Sequence, residues 1–215
     1  MVQFRRTRTK SFDPGGATKR ALEAFWQNGY EATNLPELLT AMSLGRASFY
    51  NAFGSKHELF VQTLDLYFET LREHFEPLIS REPTARRALG ILVDGILAVA
   101  RRDDGRAANW RGCFIGNTAL ELGSSDPDVV ARLKIGVDTL RSLFAAALSR
   151  PAAGSSRLSN VIVRQRALQC AANIQGVLVL AKSGLSDAEI AEMRDAMIAT
   201  ALMSPVSEAA VKGEK

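Results

Sequence analysis

Apolar residues fall along this chain at intervals of three and four, the repeat of one helical face, and no stretch sustains the period-two alternation of a strand. The pattern predicts an all-α fold. A first helix opens at Asp13-Pro14, an N-cap acceptor ahead of a first-turn proline, and runs through Ala21, Leu22, Phe25 and Trp26 to a stop at Gly29. Asn34 and Glu37 form a capping pair for a short second helix ending near Met42, with Pro36 tolerated in its first turn. A tight turn at Ser43-Leu44-Gly45 leads to a third helix, Arg46 to Phe53, closed by Gly54. Ser55 with Glu58 is a capping box for a long fourth helix through Leu59, Phe60, Leu64, Tyr67, Phe68 and Leu71.

Five further helices are expected. One starts at Pro83 and runs through Leu89, Leu92, Val93 and Ile96 to the charged stretch 101–105. One lies near Gly112–Leu122. Asp126-Pro127 opens another through Leu133, Leu140 and Phe144, and the last two cover 158–182 and 186–202, the second capped by Ser186 and Glu189. The organisation reads as a basic arm at 1–12, a three-helix unit at 13–60, a helical body at 61–203 and a frayed, disordered tail at 204–215.

Composition narrows the class. With 47% apolar residues in 215, the chain can bury a core. No apolar run reaches the roughly 20 residues that span a bilayer, and MVQFRRTRTK lacks the apolar segment of a secretory signal. A cytoplasmic protein making no membrane contact is expected. Two cysteines (Cys113, Cys170) and two histidines (His57, His74) leave little for a disulfide framework or a metal site. With no carboxylate pair, no phosphate loop and no nucleophile beside a base, neither an enzyme nor a cofactor is expected.

Charge is uneven. The segment 1–60 carries eight basic and five acidic groups, against 19 and 18 in the rest, and Arg5, Arg6, Arg8 and Lys10 all precede Ser11. Such an arm is either a solvated tail or a row of cations for phosphates.

Two short helices across a tight turn, braced before and after, describe a helix-turn-helix. Its second helix must present an N-terminal turn and one polar face to a groove about 12 Å wide. Phe49 and Phe53 form the inner face here, over Leu38, Leu39 and Leu44, while Arg46, Ala47, Ser48, Tyr50 and Asn51 face outward. Arg and Asn match guanine and adenine edges, and hydroxyls more often hold phosphates. Thr33 and Lys56 lie at flanking helix N-termini, where free N–H groups favour phosphate. A helical pair that merely packs, or that binds a partner helix, would show the same pattern, so salt-dependent and sequence-selective DNA binding is the discriminator.

Residues 12–60 resemble the N-terminal domain of the tetracycline-repressor family. The resemblance rests on Ala24-Phe25, Gly29-Tyr30, Ala32-Thr33, Phe49-Tyr50 followed by Phe53, and Ser55-Lys56 with Glu58-Leu59-Phe60. It implies a DNA-binding head on a ligand-binding and dimerising helical body, acting on double-stranded DNA as a repressor released by a small molecule. Thr33, Ser48, Tyr50 and Lys56 then resemble phosphate-positioning residues, and Arg46, Ala47 and Asn51 lie on the base-reading face. Asn51-Ala52 departs from the usual aromatic-histidine pair, which puts a borrowed operator preference in doubt.

In the body, residues 167–181 hold no charge and are apolar on nearly every side, which predicts cover on both faces. With small residues Ala171, Ala172 and Gly176, the segment 158–182 is expected to pair with 186–202 in a two-fold four-helix homodimer, as a palindromic operator requires; a buried helix in a monomer is the alternative. The unknown small-molecule effector is placed near Phe68, Trp110, Phe114, Asn117 and Phe144, although core packing is the preferred reading of any single one. Cys113, at a helix start beside Arg111, is a candidate thiolate, and its Gly-Cys-Phe setting resembles family members that sense electrophiles or oxidants; a buried inert thiol is the preferred alternative.

Overall fold

A computed structural model describes residues 13–101, 110–151 and 158–203, so the basic arm, the C-terminal tail and most of the two loops lie outside the described residues. The described part is all-α. Its helices are α1 (Pro14–Asn28), α2 (Leu35–Met42), α3 (Arg46–Phe53), α4 (Lys56–Arg81), α5 (Ala85–Ala100), α6 (Phe114–Leu122), α7 (Pro127–Leu148), α8 (Asn160–Lys182) and α9 (Asp187–Leu202). Among the described residues the one β-type contact is an isolated bridge between Arg101 and Trp110.

Most starts follow the capping chemistry. The Asn34 side chain accepts from the Glu37 N–H, Asp126 accepts from Asp128 and Val129, and Ser186 with Glu189 forms a reciprocal box. Two starts differ from expectation, at Asp13 and Pro83, and two further details were left open by the sequence, the left-handed residue of the α2–α3 turn and the end of α4. Asp13 has extended backbone but its side chain makes no capping bond. The left-handed residue of the α2–α3 turn is Ser43, at φ 56°, while Gly45 stays extended and serves as the N-cap of α3. Thr84, not Pro83, begins α5, because its hydroxyl can accept from the Arg87 N–H. Helix α4 also runs on well past Leu71, through Pro77 to Arg81. Pro77 has no N–H to give the Glu73 carbonyl; both residues are exposed, and buried Phe75 and Ile79 hold the helix in the core on either side of the proline.

The chain divides into two compact units, residues 1–66 and 67–215, with the boundary inside α4. In the first, Phe25, Leu38, Met42, Phe49, Phe53 and Phe60 form the core. Phe25 meets Phe60 edge-on at 5.0 Å between centroids, and Phe49 contacts Tyr50 and Phe53. In the second, α7 packs chiefly on α8 and α5, and α9 on α8 and α5. Gly136 lets α7 close on the middle of α4: a Cβ there would lie 2.6 Å from the Phe68 ring and 3.2 Å from Ile115. Any side chain at 136 would overpack this contact.

Candidate nucleic-acid interface

Helix α3, Arg46–Phe53, is too short to persist alone and depends on the core beneath it. Phe49 and Phe53 are buried and pin one face; Leu38 lies fully buried below, with Leu39 and Leu44 half-buried. The opposite face is left to solvent: Arg46, Ala47, Ser48, Tyr50, Asn51 and Ala52 are all exposed. Tyr50 is 47% exposed, and its ring and that of Phe49 pack nearly perpendicular at 5.4 Å between centroids. One short helix thus brings a guanidinium, a methyl, two hydroxyls and an amide onto one surface.

The flanking residues behave differently from one another. Lys56, at the first turn of α4, holds its ammonium 4.2 Å from the centre of the Tyr30 ring, which itself packs on Phe25 and Phe60. This cation–π seat fixes the position of a charge that a free lysine would spread over many rotamers. Thr33 is fully buried and its hydroxyl donates to the Gly29 carbonyl at 2.6 Å. Its side chain is therefore committed to the turn, and a phosphate contact at Thr33 would have to come from the backbone.

One contributor escaped sequence reasoning. Arg20 on α1 donates from Nη2 to the Met42 carbonyl at 3.0 Å, tying α1 to the last turn of α2. A cation there satisfies an end carbonyl and meets the negative end of the helix dipole, just before the Ser43 turn that aims α3. Nothing in the periodicity signals it, because the partner is a backbone atom on a different helix, several turns further along the chain.

Of the expected effector residues, Phe68, Phe114 and Phe144 are core side chains, at most 4% exposed. Cys113 is buried and is the N-cap of α6; Gln175 donates to its sulfur at 3.4 Å, and the Tyr67 hydroxyl lies 3.8 Å away. Burial, then the neighbouring Cys113, pushes the Tyr67 phenol well above its usual range. Arg111, expected beside the thiol, donates from Nε to the Val99 carbonyl. Asn117 bridges the Arg111 carbonyl and the Lys182 ammonium. Trp110 lies beneath the Arg101 guanidinium.

The profile of the bacterial regulatory proteins of the tetR family matches residues 18–63, the segment that builds α1 to the start of α4. The chain carries the N-terminal domain of the tetR family. It is 32% identical over 123 residues to the uncharacterized HTH-type transcriptional regulator YezE of Bacillus subtilis (strain 168), covering 57% of this chain and 61% of that one. It is 32% identical over 134 residues to the HTH-type transcriptional repressor ComR of Escherichia coli (strain K12), covering 62% of each. The matches thus span about three fifths of these relatives' length. Among solved structures, a cysteine mutant of the TetR family transcriptional regulator CifR, complexed with 26-bp double-strand operator DNA, superposes at a TM-score of 0.71. That likeness has 25% identity and covers 89% of this chain and 98% of CifR. Among the described residues of this chain, no helix is long and apolar enough to cross a membrane.

Proposed function

We propose that this chain is a cytoplasmic, sequence-specific DNA-binding transcription regulator, working as a homodimer on a palindromic operator and repressing until an effector releases it. The observation that carries the reading is the face of α3, where Arg46, Ala47, Ser48, Tyr50 and Asn51 stand exposed on a helix pinned by Phe49 and Phe53. CifR bound to operator DNA and ComR named a repressor support it. In this reading Arg46, Ala47 and Asn51 meet base edges, Ser48, Tyr50 and Lys56 hold phosphates, and Thr33 contributes through its backbone. No catalytic step is involved.

The test is a titration on DNA from upstream of the chain's own gene and on sites recovered by random-sequence selection, across a series of salt concentrations. Binding should weaken steeply with salt and keep its sequence preference. Lys56→Ala should lower affinity on all sequences and flatten the salt slope by about one charge, whereas Arg46→Ala should lose roughly 1–3 kcal/mol of discrimination at one base pair. Wild-type behaviour in both variants would mean that α3 is not the reading helix. Failure of the selection to recover any site would leave a protein-interaction module as the better reading.

Release is proposed to run through oxidation or alkylation of Cys113. Its setting between Gln175 and Tyr67 couples α6, α8 and the middle of α4, so enlarging the sulfur would disturb three elements at once. The other thiol is a poor competitor, because burial pushes Cys170 up to about 11, with Arg166 opposing. Cys113→Ser should bind DNA as wild type yet resist release by hydrogen peroxide, and Cys170→Ser should respond normally. Peroxide release that survives Cys113→Ser refutes this route.

A further inference from the structure

Helices α5 and α9 run antiparallel: the N-terminal half of α5 faces the C-terminal half of α9, and Arg101 at the end of α5 meets Asp187 at the start of α9. Between them lies an open groove with two lobes of about 580 and 430 Å³. The lobes share Asp94, Arg194 and Asp195, and this cluster is closed on itself. Arg194 donates from Nε and Nη2 to both Asp94 oxygens, at 2.8 and 2.7 Å, and from Nη1 to Asp195.

The smaller lobe is built differently. Leu97, Ala98 and Ile190 give it apolar walls, and Trp110 closes one side. Trp110 is 8% exposed, and its indole N–H is buried with no acceptor among the described residues. A buried indole N–H normally finds a partner, because leaving it unpaired forfeits its hydration. Beside it, the Arg101 guanidinium rides 5.0 Å above the ring and pairs with Asp187. That pair is open to solvent, with side chains 44% and 67% exposed, so exchanging one carboxylate for another there costs little.

An apolar wall, an unsatisfied N–H donor and a cation whose counterion is easily exchanged describe the complement of an amphipathic acid. We propose that this lobe binds a monocarboxylate with an unbranched apolar tail. Its carboxylate displaces Asp187 from Arg101 and, as the indole turns its buried edge toward the lobe, accepts the Trp110 N–H, and its tail lies along Leu97, Ala98 and Ile190. The site stands without the DNA-binding reading, since none of its residues belongs to the first unit.

The test uses the full-length ¹⁵N-labelled protein with octanoate as the probe. Its readout is the Trp110 indole N–H resonance, told from that of Trp26 by Trp26→Phe. Millimolar octanoate should move this signal saturably, and 1-octanol should not. Arg101→Ala should weaken the response about tenfold, while Asp187→Asn, which removes the competing carboxylate, should tighten it. A signal that ignores octanoate, an unchanged titration in Arg101→Ala, or weaker binding in Asp187→Asn would each overturn the proposal. So would a shift that follows protein dilution alone, which would give the groove to a second copy of the chain.

Discussion

Leu168→Glu is expected to convert the protein to a monomer and to lower operator affinity by about two to four orders of magnitude. Helix α8 buries Val163, Ala167, Cys170, Ala171, Ile174, Val177 and Leu178 against its own chain. From Leu168 onward its other side is uncharged as well: Leu168, Ala172, Gly176 and Val179 recur at helical spacing and are exposed, with Arg164 one turn before them. Leu168 is 51% exposed and Val179 49%. A helix that is apolar on both sides calls for cover on both, and the proposed two-fold pairing with a second α8–α9 pair supplies it. Glutamate at 168 would take two carboxylates per dimer out of water, each within one turn of Arg164, at a desolvation cost of roughly several kcal/mol each. In the separate chain the same change lies on the surface and should alter folding stability by under about 0.5 kcal/mol. The affinity loss follows because two linked heads bind far more tightly than one, typically by about 10²–10⁴-fold. Sedimentation equilibrium and operator titration check both halves. A Leu168→Glu protein that still sediments as a dimer would remove α8 from the interface.

Phe49→Ala is expected to unfold the first unit while leaving the second intact. Phe49 is fully buried on α3 and touches Tyr50 and Phe53 ring to ring. Truncating a buried phenylalanine costs about 3–5 kcal/mol. A unit as small as Met1–Leu66 has little more than that to lose. Circular dichroism should therefore show a partial loss of helicity, and hydrogen exchange should place it in α1–α3, with operator binding abolished. Asn51→Ala, on the exposed face of the same helix, should melt like wild type while changing DNA recognition. If Phe49→Ala retained wild-type exchange protection in α1–α3, Phe49 would not be the anchor of the reading helix.

The candidate site was legible to different depths. The α3 face could be read because burial of Phe49 and Phe53, one helical turn apart, leaves only one choice for Arg46, Ser48, Tyr50 and Asn51. Lys56 was legible as a helix-start residue, but its seat on Tyr30 was not, since α2 and α3 intervene between the two in the chain. Thr33 matched the motif, yet its hydroxyl serves the Gly29 carbonyl, a choice that depends on the turn geometry. The effector residues were the least legible. Aromatic and thiol side chains at helical spacing look alike whether they line a cavity or fill a core, and Phe68, Phe114 and Phe144 are buried in the fold.

By itself the sequence determined the all-α class, the number and order of the helices among the described residues, and most of their ends. These are local matters: a capping oxygen one turn before its N–H, a proline in a first turn, an apolar stripe at the helical repeat. Tertiary structure alone decided the rest. It carried α4 through Pro77, because buried Phe75 and Ile79 on either side outweigh one lost hydrogen bond. It placed Arg20 on the end of α2, Gln175 on Cys113, and Arg101 over Trp110. Each of these joins residues from separate elements, and such contacts have no period. They are set by which helix faces are left to pack once every local preference has been met.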